Sequence, residues 1–245
     1  VHYMDVAAGK TLADRIPATA PPLAVDIDGT LTDDQRSLDP CVMPVLRAWP
    51  APVVIATGKA MPYPVALCEF LGIETAVVAE NGGVVAVEQT DTLHVAGAPE
   101  AADAVAKELV AAGQPPDWGS LDLVNRWRKT ELAVPRTTPL APLEGIAERH
   151  GLVVVDTGFA YHVKSPAVSK GDALETAMTE LNVALETVVA IGDSANDVSA
   201  FEAVGRGIAV ANADDHARAA ADLITDASYA AGFLEAVATT IETTA

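Results

Sequence analysis

The sequence predicts an α/β protein: a doubly wound parallel sheet into which a smaller α+β cap domain is inserted. Three observations carry that prediction. From Leu23 onward, short apolar runs alternate with segments of helical length. The middle of the chain breaks this rhythm and reads as mixed helix and strand. Two of the apolar runs end in a glycine turn crowded with carboxylates, and strand ends are where parallel sheets carry their functional loops.

The apolar runs are "LAVDI", "PVVIATG", "TAVVAENG" and "TVVAIGDS", separated by helix-length segments such as "CVMPVLRAW", "VALCEFLG" and "SKGDALETAMTEL". A strand that is apolar along its whole length is covered on both faces, which helices on either side of a parallel sheet provide. "NDVSAFEAVG", "GIAVAN" and a helical tail through Ile241 complete this Rossmann-like core. Within the insert, residues 99–113 and 139–150 read as helices, and residues 129–134, 152–156 and 159–163 as strands. The expected division is core at residues 21–83 and 165–245, with the cap at 84–164. Residues 1–20 show no strong periodicity, run into "ATAPP", and are expected to form a loose leader, with Met4 as a candidate start.

At 245 residues the chain can bury one large core or two modest ones. Half of it is hydrophobic and only 4% aromatic, so Ala and Val must supply most of the packing. Acids outnumber bases 34 to 15, a net charge of −19. That balance argues against nucleic acid, whose phosphate backbone needs a basic footprint. It suits a surface kept soluble in strong salt, so a halophilic source is expected ahead of an ordinary acidic cytoplasmic protein. Cys41 and Cys68 stand apart in apolar stretches without metal-ligand spacing, and are expected to be reduced core residues. No apolar run approaches bilayer length and no signal-peptide pattern occurs, so the cytoplasm is the expected location and no membrane partner is expected. A monomer and a homodimer are both compatible with the sequence.

Two phosphate-binding patterns fail on inspection. "GKT" at residues 9–11 has Met4 where a P-loop requires Gly, and no strand precedes it. Gly205 and Gly207 open a dinucleotide fingerprint, but Val210 stands where its third Gly belongs.

The acidic clusters are more informative. "LAVDIDGTLTDD" places Asp26 and Asp28 at the end of one apolar strand, with Gly29 for the turn and Asp33 and Asp34 beyond it as turn residues or a solvated helix start. "VVAIGDSANDVSAF" repeats the design with Asp193 and Asp197. Carboxylates this close repel, so the assembly is costly unless a cation or a chemical task offsets the repulsion. Two acidic strand ends in one parallel sheet can converge into a cage of oxygen ligands suited to Mg²⁺. "VVIATGK" adds Thr57 and Gly58, a hydroxyl and backbone N–H groups for an anion. "SKGDAL" sets Lys170 at a helix start, where the helix dipole disfavours a cation but neighbouring carboxylates and a phosphate explain one. Asn196 reads either as a hydrogen-bonding member of the site or as a helix cap, and Lys59 and Asn81 as strand-end residues within reach of a substrate.

Taken in order, "DIDGTLT", "ATG", the Lys of "SKGDAL" and "GDSANDVSAF" resemble the four motifs of the haloacid dehalogenase superfamily. The resemblance runs from about Leu23 onward; the first and fourth motifs are specific, the other two informative only in series. An insert after the second motif resembles the branch whose α/β cap lies between motifs two and three. The short cap and the fourth motif resemble the archaeal phosphoglycolate phosphatases of that branch. Ser199 and Ala200 depart from the Met that many relatives carry, a difference expected to affect packing.

The resemblance implies a Mg²⁺-dependent phosphomonoester hydrolase. Asp26 would be the nucleophile that forms an aspartyl-phosphate, and Asp28 the acid and then the base. Asp26, the Asp28 carbonyl and Asp193 would hold Mg²⁺, with Asp197 in or just behind that shell. Thr57 and Lys170 would bind phosphoryl oxygens, Lys170 also pairing with Asp26. The implied partner is a small phosphorylated metabolite, phosphoglycolate first and a sugar phosphate second. A phosphomutase and a receiver-like signalling domain are the remaining readings; receivers are much shorter and lack both the cap and the "DGT" wording.

Discrimination among substrates is expected from the insert, where "NRWRKTE" holds Arg126, Arg128 and Lys129. Strand alternation would put Arg126 and Arg128 on one face and Trp127 and Lys129 on the other. The expectation is a solvated cationic face; the sharper reading has one Arg binding a substrate carboxylate.

Overall fold

A computed structural model of the chain describes residues 6–244. Parallel strands β1 (Leu23–Val25), β2 (Val53–Ala56) and β3 (Ala76–Ala79) begin the larger sheet, and β4 (Val84–Val87) and β5 (Thr92–Val95) continue it antiparallel. The chain then passes to a three-stranded antiparallel sheet of β6 (Leu132–Pro135), β7 (Val153–Asp156) and β8 (Ala160–Lys164), in the order β6-β8-β7. It returns with β9 (Val189–Gly192), β10 (Arg206–Ala209) and β11 (Leu223–Ile224), which pair parallel on the far side of β1. The larger sheet thus reads β11-β10-β9-β1-β2-β3-β4-β5.

Alternation along these strands divides their side chains between two core layers, the second of them richer in alanine. Leu23, Val25, Ile55, Val77, Val189 and Ile191 pack in one core layer with α1 (Val6–Ala13), α2 (Val42–Ala48), α3 (Pro62–Leu71) and α9 (Tyr229–Thr244). Each large aliphatic side chain buried there contributes roughly 1.5–3 kcal/mol. Ala24, Ala56, Ala190 and Ala209 pack in the other layer, with α6 (Lys170–Glu180), α7 (Val198–Ala203) and α8 (Asp215–Ala220). Small residues there let these helices lie close to the sheet and to one another. At Gly171 a Cβ would stand 2.3 Å from the Ser199 carbonyl oxygen, so a larger residue would push α6 away from α7. Close packing brings Lys170, the first residue of α6, up to the strand ends. The insert has its own core, in which α4 (Pro99–Ala111) and α5 (Leu140–Arg149) cover β6 and β8.

Three sequence expectations are corrected. Residues 6–13 of the expected loose leader form α1, which packs on α2 and α9 through buried Leu12; Met4 lies outside the described residues. The cap does not begin at residue 84, because β4 and β5 extend the larger sheet and Val84, Val85 and Val87 are buried there. Residues 121–130 run through turns and bends, and the strand begins only at Leu132. Asn125 N donates to Asp122 Oδ1 at 3.0 Å and Asn125 Nδ2 to Ala133 O at 3.0 Å, local bonds that compete with a strand ladder. Arg126 and Arg128 therefore do not alternate as strand residues would.

Cys41 and Cys68 are buried and unpaired, and burial raises both thiols, Cys68 to about 11. No helix among the described residues is long and apolar enough to cross a membrane.

Candidate active site

Three adjacent parallel strands deliver their ends to one edge of the sheet. Val25 is in register with Ile55 of β2 and Ile191 of β9, so Asp26, Thr57 and Asp193 emerge side by side. Asp26 N continues the ladder, donating to Ile191 O at 3.0 Å. Gly29 turns the chain with φ 81°, and a Cβ there would sit 2.1 Å from Asp193 Oδ2. Only glycine lets the two acidic loops close on each other at this point.

Lys170 reaches the same place from α6. Its buried Nζ donates to Asp26 Oδ1 at 2.8 Å, to Asp197 Oδ1 at 2.6 Å and to Asn196 Oδ1 at 3.3 Å. Burial disfavours the ammonium, but Asp197 and Asp26 outweigh it and hold its pKa above the usual lysine value. The second oxygen of Asp197 accepts from the backbone N–H groups of Asp193 and Ser194, each at 3.1 Å. Both Asp197 oxygens are thereby engaged within the protein.

The site is short of positive charge. Carboxylate oxygens of Asp26, Asp193 and Asp197 lie within 4.8 Å of one another. Asp28 Oδ1 and Asp193 Oδ1 are buried without a hydrogen-bond partner. Burial pushes Asp26 up to about 7; Lys170 opposes that shift and Asp197 adds to it. Burial, reinforced by Asp26 and Asp197, pushes Asp193 up to about 9. Orphaned oxygens and raised carboxyl groups mark a site that a neighbouring cation would stabilise. The donors are all oxygen, so the acidic cluster can hold a hard divalent metal ion.

A cleft of about 200 Å³ opens over these groups, with Asp26, Asp28, Thr57, Gly58, Asp193 and Asn196 on its wall. Thr57 is buried, and its Oγ1 accepts from Lys59 N at 3.2 Å. Lys59 Nζ stands 2.7 Å from Asp28 Oδ2. Asn196 is held from both ends, accepting from Lys170 and from Ser194 Oγ while its Nδ2 donates to Asn81 Oδ1 at 3.0 Å. The structure thus brings together every residue that the sequence placed in the site, with Lys170 and Asp197 behind the wall. Of the basic run, Arg128 alone lines this cleft.

A further layer of polar residues ties the cleft to the insert, and among its members Asn81, Arg128 and Lys129 were singled out in the sequence while Glu80, Thr130, Glu131 and His162 were not. Glu80 and Asn81 follow β3 with φ of 52° and 54°. Buried Glu80 accepts from Thr130 N and Thr130 Oγ1, both at 2.8 Å, and from Lys129 N. Asn81 Nδ2 donates to Glu131 Oε2 at 2.9 Å, and Glu131 also contacts His162 Nδ1 at 2.8 Å and pairs with Arg128. Burial opposes the charge of Glu131, but His162 and Arg128 outweigh it and hold its pKa down at about 2. Arg128 Nη1 also donates to Gly58 O at 2.9 Å. The signal available in the sequence was faint: a lone Glu before "LAVP" and a lone His inside "AYHVK".

A parallel α/β core with a buried Lys among strand-end carboxylates defines a class, and comparison with known proteins agrees with it. The model of the haloacid dehalogenase-like hydrolase family matches residues 23–112 and 145–237, well over half of the chain. The protein belongs to that family. A phosphoglycolate phosphatase of Haloarcula marismortui is 59% identical over 218 residues, covering 89% of this chain and 96% of the relative. A phosphoglycolate phosphatase of Archaeoglobus fulgidus is 36% identical over 216 residues, covering 88% and 94%. Among solved structures, a Thermoplasma acidophilum protein is similar with a TM-score of 0.78 and 25% identity, over 91% of this chain and 98% of that one. A haloacid dehalogenase-like hydrolase from B. subtilis shares the fold with a TM-score of 0.69 at 22% identity, over 91% and 99%.

Proposed function

We propose that the protein is a Mg²⁺-dependent phosphoglycolate phosphatase, converting 2-phosphoglycolate and water into glycolate and phosphate through an aspartyl-phosphate on Asp26. The observation that carries this reading is the buried Lys170–Asp26 contact at 2.8 Å beside Asp193 and Asp28, each with an orphaned oxygen. The relatives named phosphoglycolate phosphatase span nearly the whole chain, which supports the choice of substrate. A cleft of about 200 Å³ suits a small metabolite.

With Oδ1 of Asp26 held by Lys170, the other carboxylate oxygen is the attacking atom. It forms a bond to phosphorus as the bond from phosphorus to the glycolate oxygen breaks. Asp28 gives that leaving oxygen a proton. Asp28 then takes a proton from the water that attacks the phosphorus of phospho-Asp26, which frees phosphate and restores the carboxylate. The Thr57 hydroxyl and the backbone at Gly58 hold the phosphoryl oxygens throughout, while Lys170, buried behind the wall, orients Asp26 and supplies positive charge from behind it. Mg²⁺ would be held by Asp26, the Asp28 carbonyl and Asp193, and when bound supplies the positive charge that offsets repulsion between nucleophile and phosphate. Asp197 stands behind these ligands, because Lys170 and two backbone N–H groups already use its oxygens. Its work is to orient Lys170 and the Asp193 loop. A cytoplasmic setting belongs to this reading.

Phosphate release from 2-phosphoglycolate and a panel of sugar monophosphates tests the proposal. The expected result is the highest kcat/KM for 2-phosphoglycolate, loss of activity on chelation, and less than about a hundredth of the turnover in Asp26→Asn. A preferred sugar phosphate would overturn the substrate. Substantial turnover by Asp26→Asn would overturn covalent catalysis.

A further inference from the structure

The proposed substrate presents a carboxylate as well as a phosphate, and a cation is needed to meet it. The basic run of the insert is committed elsewhere. Arg128, its side chain 6% exposed, is held by Glu131 and the Gly58 carbonyl, and Arg126 and Lys129 are not on the cleft wall. Lys59 pairs with Asp28, and His162 with Glu131.

Arg36 is left. It lines the cleft, and among the described residues it has no carboxylate partner. Its guanidinium carbon sits 4.4 Å above the centre of the Phe159 ring, and Phe159 stacks in turn on Trp118, with centroids 5.4 Å apart. Arg36 belongs to the loop after β1, whereas Phe159 and Trp118 belong to the insert, so this contact spans the mouth of the cleft. A cation–π contact need not consume the five N–H donors of the guanidinium, whose planar fork matches a carboxylate.

The loop that carries Arg36 is built to aim it. A bridge between Thr32 and Leu38 closes the loop. Asp33 Oδ1 accepts from Gln35 N at 2.8 Å and from Ser37 N at 2.9 Å, so Asp33 acts as a turn residue. Arg36 itself has φ of 62°, a left-handed conformation uncommon for a long side chain, and its N–H donates to Asp33 O at 3.1 Å.

We propose that Arg36, pinned over Phe159 at the cleft mouth, is the specificity residue that binds the carboxylate of the substrate. This rests on the phosphoglycolate reading and adds the group that recognises its non-reacting end. The test compares 2-phosphoglycolate with 2-hydroxyethyl phosphate, an ester whose non-phosphate end is neutral, at one fixed salt concentration. Arg36→Asn removes the cation while keeping a residue that tolerates the left-handed backbone. It is expected to lower kcat/KM for 2-phosphoglycolate by about 10- to 100-fold, mostly through KM, the scale of a charge-assisted hydrogen-bonded pair. The neutral ester should change by less than about twofold, since it lacks the charged partner, and Arg36→Lys should recover part of the loss. If wild type prefers 2-phosphoglycolate and Arg36→Asn keeps that preference, Arg36 is not the reader and the substrate stands. If wild type shows no preference for 2-phosphoglycolate over the neutral ester, the substrate reading falls and this inference with it.

Discussion

Lys170 and Asp26 meet across 144 positions of sequence, Nζ to Oδ1 at 2.8 Å, with both residues buried. Two local facts produce the meeting: β1 ends at Val25, and α6 starts at Lys170 on the alanine-lined face of the same sheet. Removing one partner of a buried ion pair costs about 3–5 kcal/mol. Removing one preorganised donor to a developing charge costs about 100- to 1,000-fold in kcat. Lys170→Met is therefore expected to lose at least about 100-fold in kcat and to unfold at lower urea concentration. Steady-state kinetics and a urea melt check both, and a kcat close to wild type would remove Lys170 from the support of Asp26.

Asp193 has an orphaned oxygen and, among the described residues, no salt-bridge partner. Asp193→Ala is expected to raise the Mg²⁺ concentration for half-maximal activity by at least about tenfold, since even outer partners of a metal site cost that much. A Mg²⁺ titration of activity gives the answer, and an unchanged midpoint would place Asp193 outside the metal site.

The raised carboxyl groups predict how stability of the metal-free protein depends on pH. Asp26 at about 7 and Asp193 at about 9 bind protons in the folded state that an unfolded chain releases near pH 4. Between those limits the folded state holds more protons, so stability falls as pH rises from about 4 toward about 9. Mg²⁺ should flatten that slope by favouring the ionised carboxylates. Urea melts in chelator across this range report the slope; stability that rises with pH there would contradict the charge-deficient site.

With 34 acids against 15 bases, long-range repulsion is expected to be a substantial destabilising term at low ionic strength. Screening shortens from about 10 Å at 0.1 M to about 3 Å at 1 M salt. The thermal midpoint should therefore rise between low and molar KCl. A flat or falling midpoint would mean that the acidity is not an adaptation to salt.

What was legible in the sequence was what is contiguous. A strand, a glycine turn and its aspartates occupy a dozen residues, so Asp26, Asp28, Asp193 and Asp197 could be read together, and Lys170 from its odd place at a helix start. The fate of "VVAV" was marked but passed over: the Asn-Gly of "ENGG" between two apolar runs signals a hairpin, and the turn at Glu80 and Asn81 pairs β4 antiparallel to β3. Glu131 was hidden for another reason: its partners Asn81 and His162 lie 50 and 31 positions away, and the tertiary fold alone brings them together. The basic run did not alternate as a strand because Asp122 and Asn125 hold it in turns, which delivers Arg128 to Glu131 at the cleft wall.

The central claim is that Asp26 takes the phosphoryl group. Rapid acid quench of the enzyme during turnover of 2-phosphoglycolate, followed by mass spectrometry of its peptides, tests that claim directly. The expected result is a phosphoryl adduct on the peptide carrying Asp26, formed at least as fast as turnover and absent from Asp26→Asn. An adduct on another residue, or one that forms more slowly than phosphate is released, would contradict it.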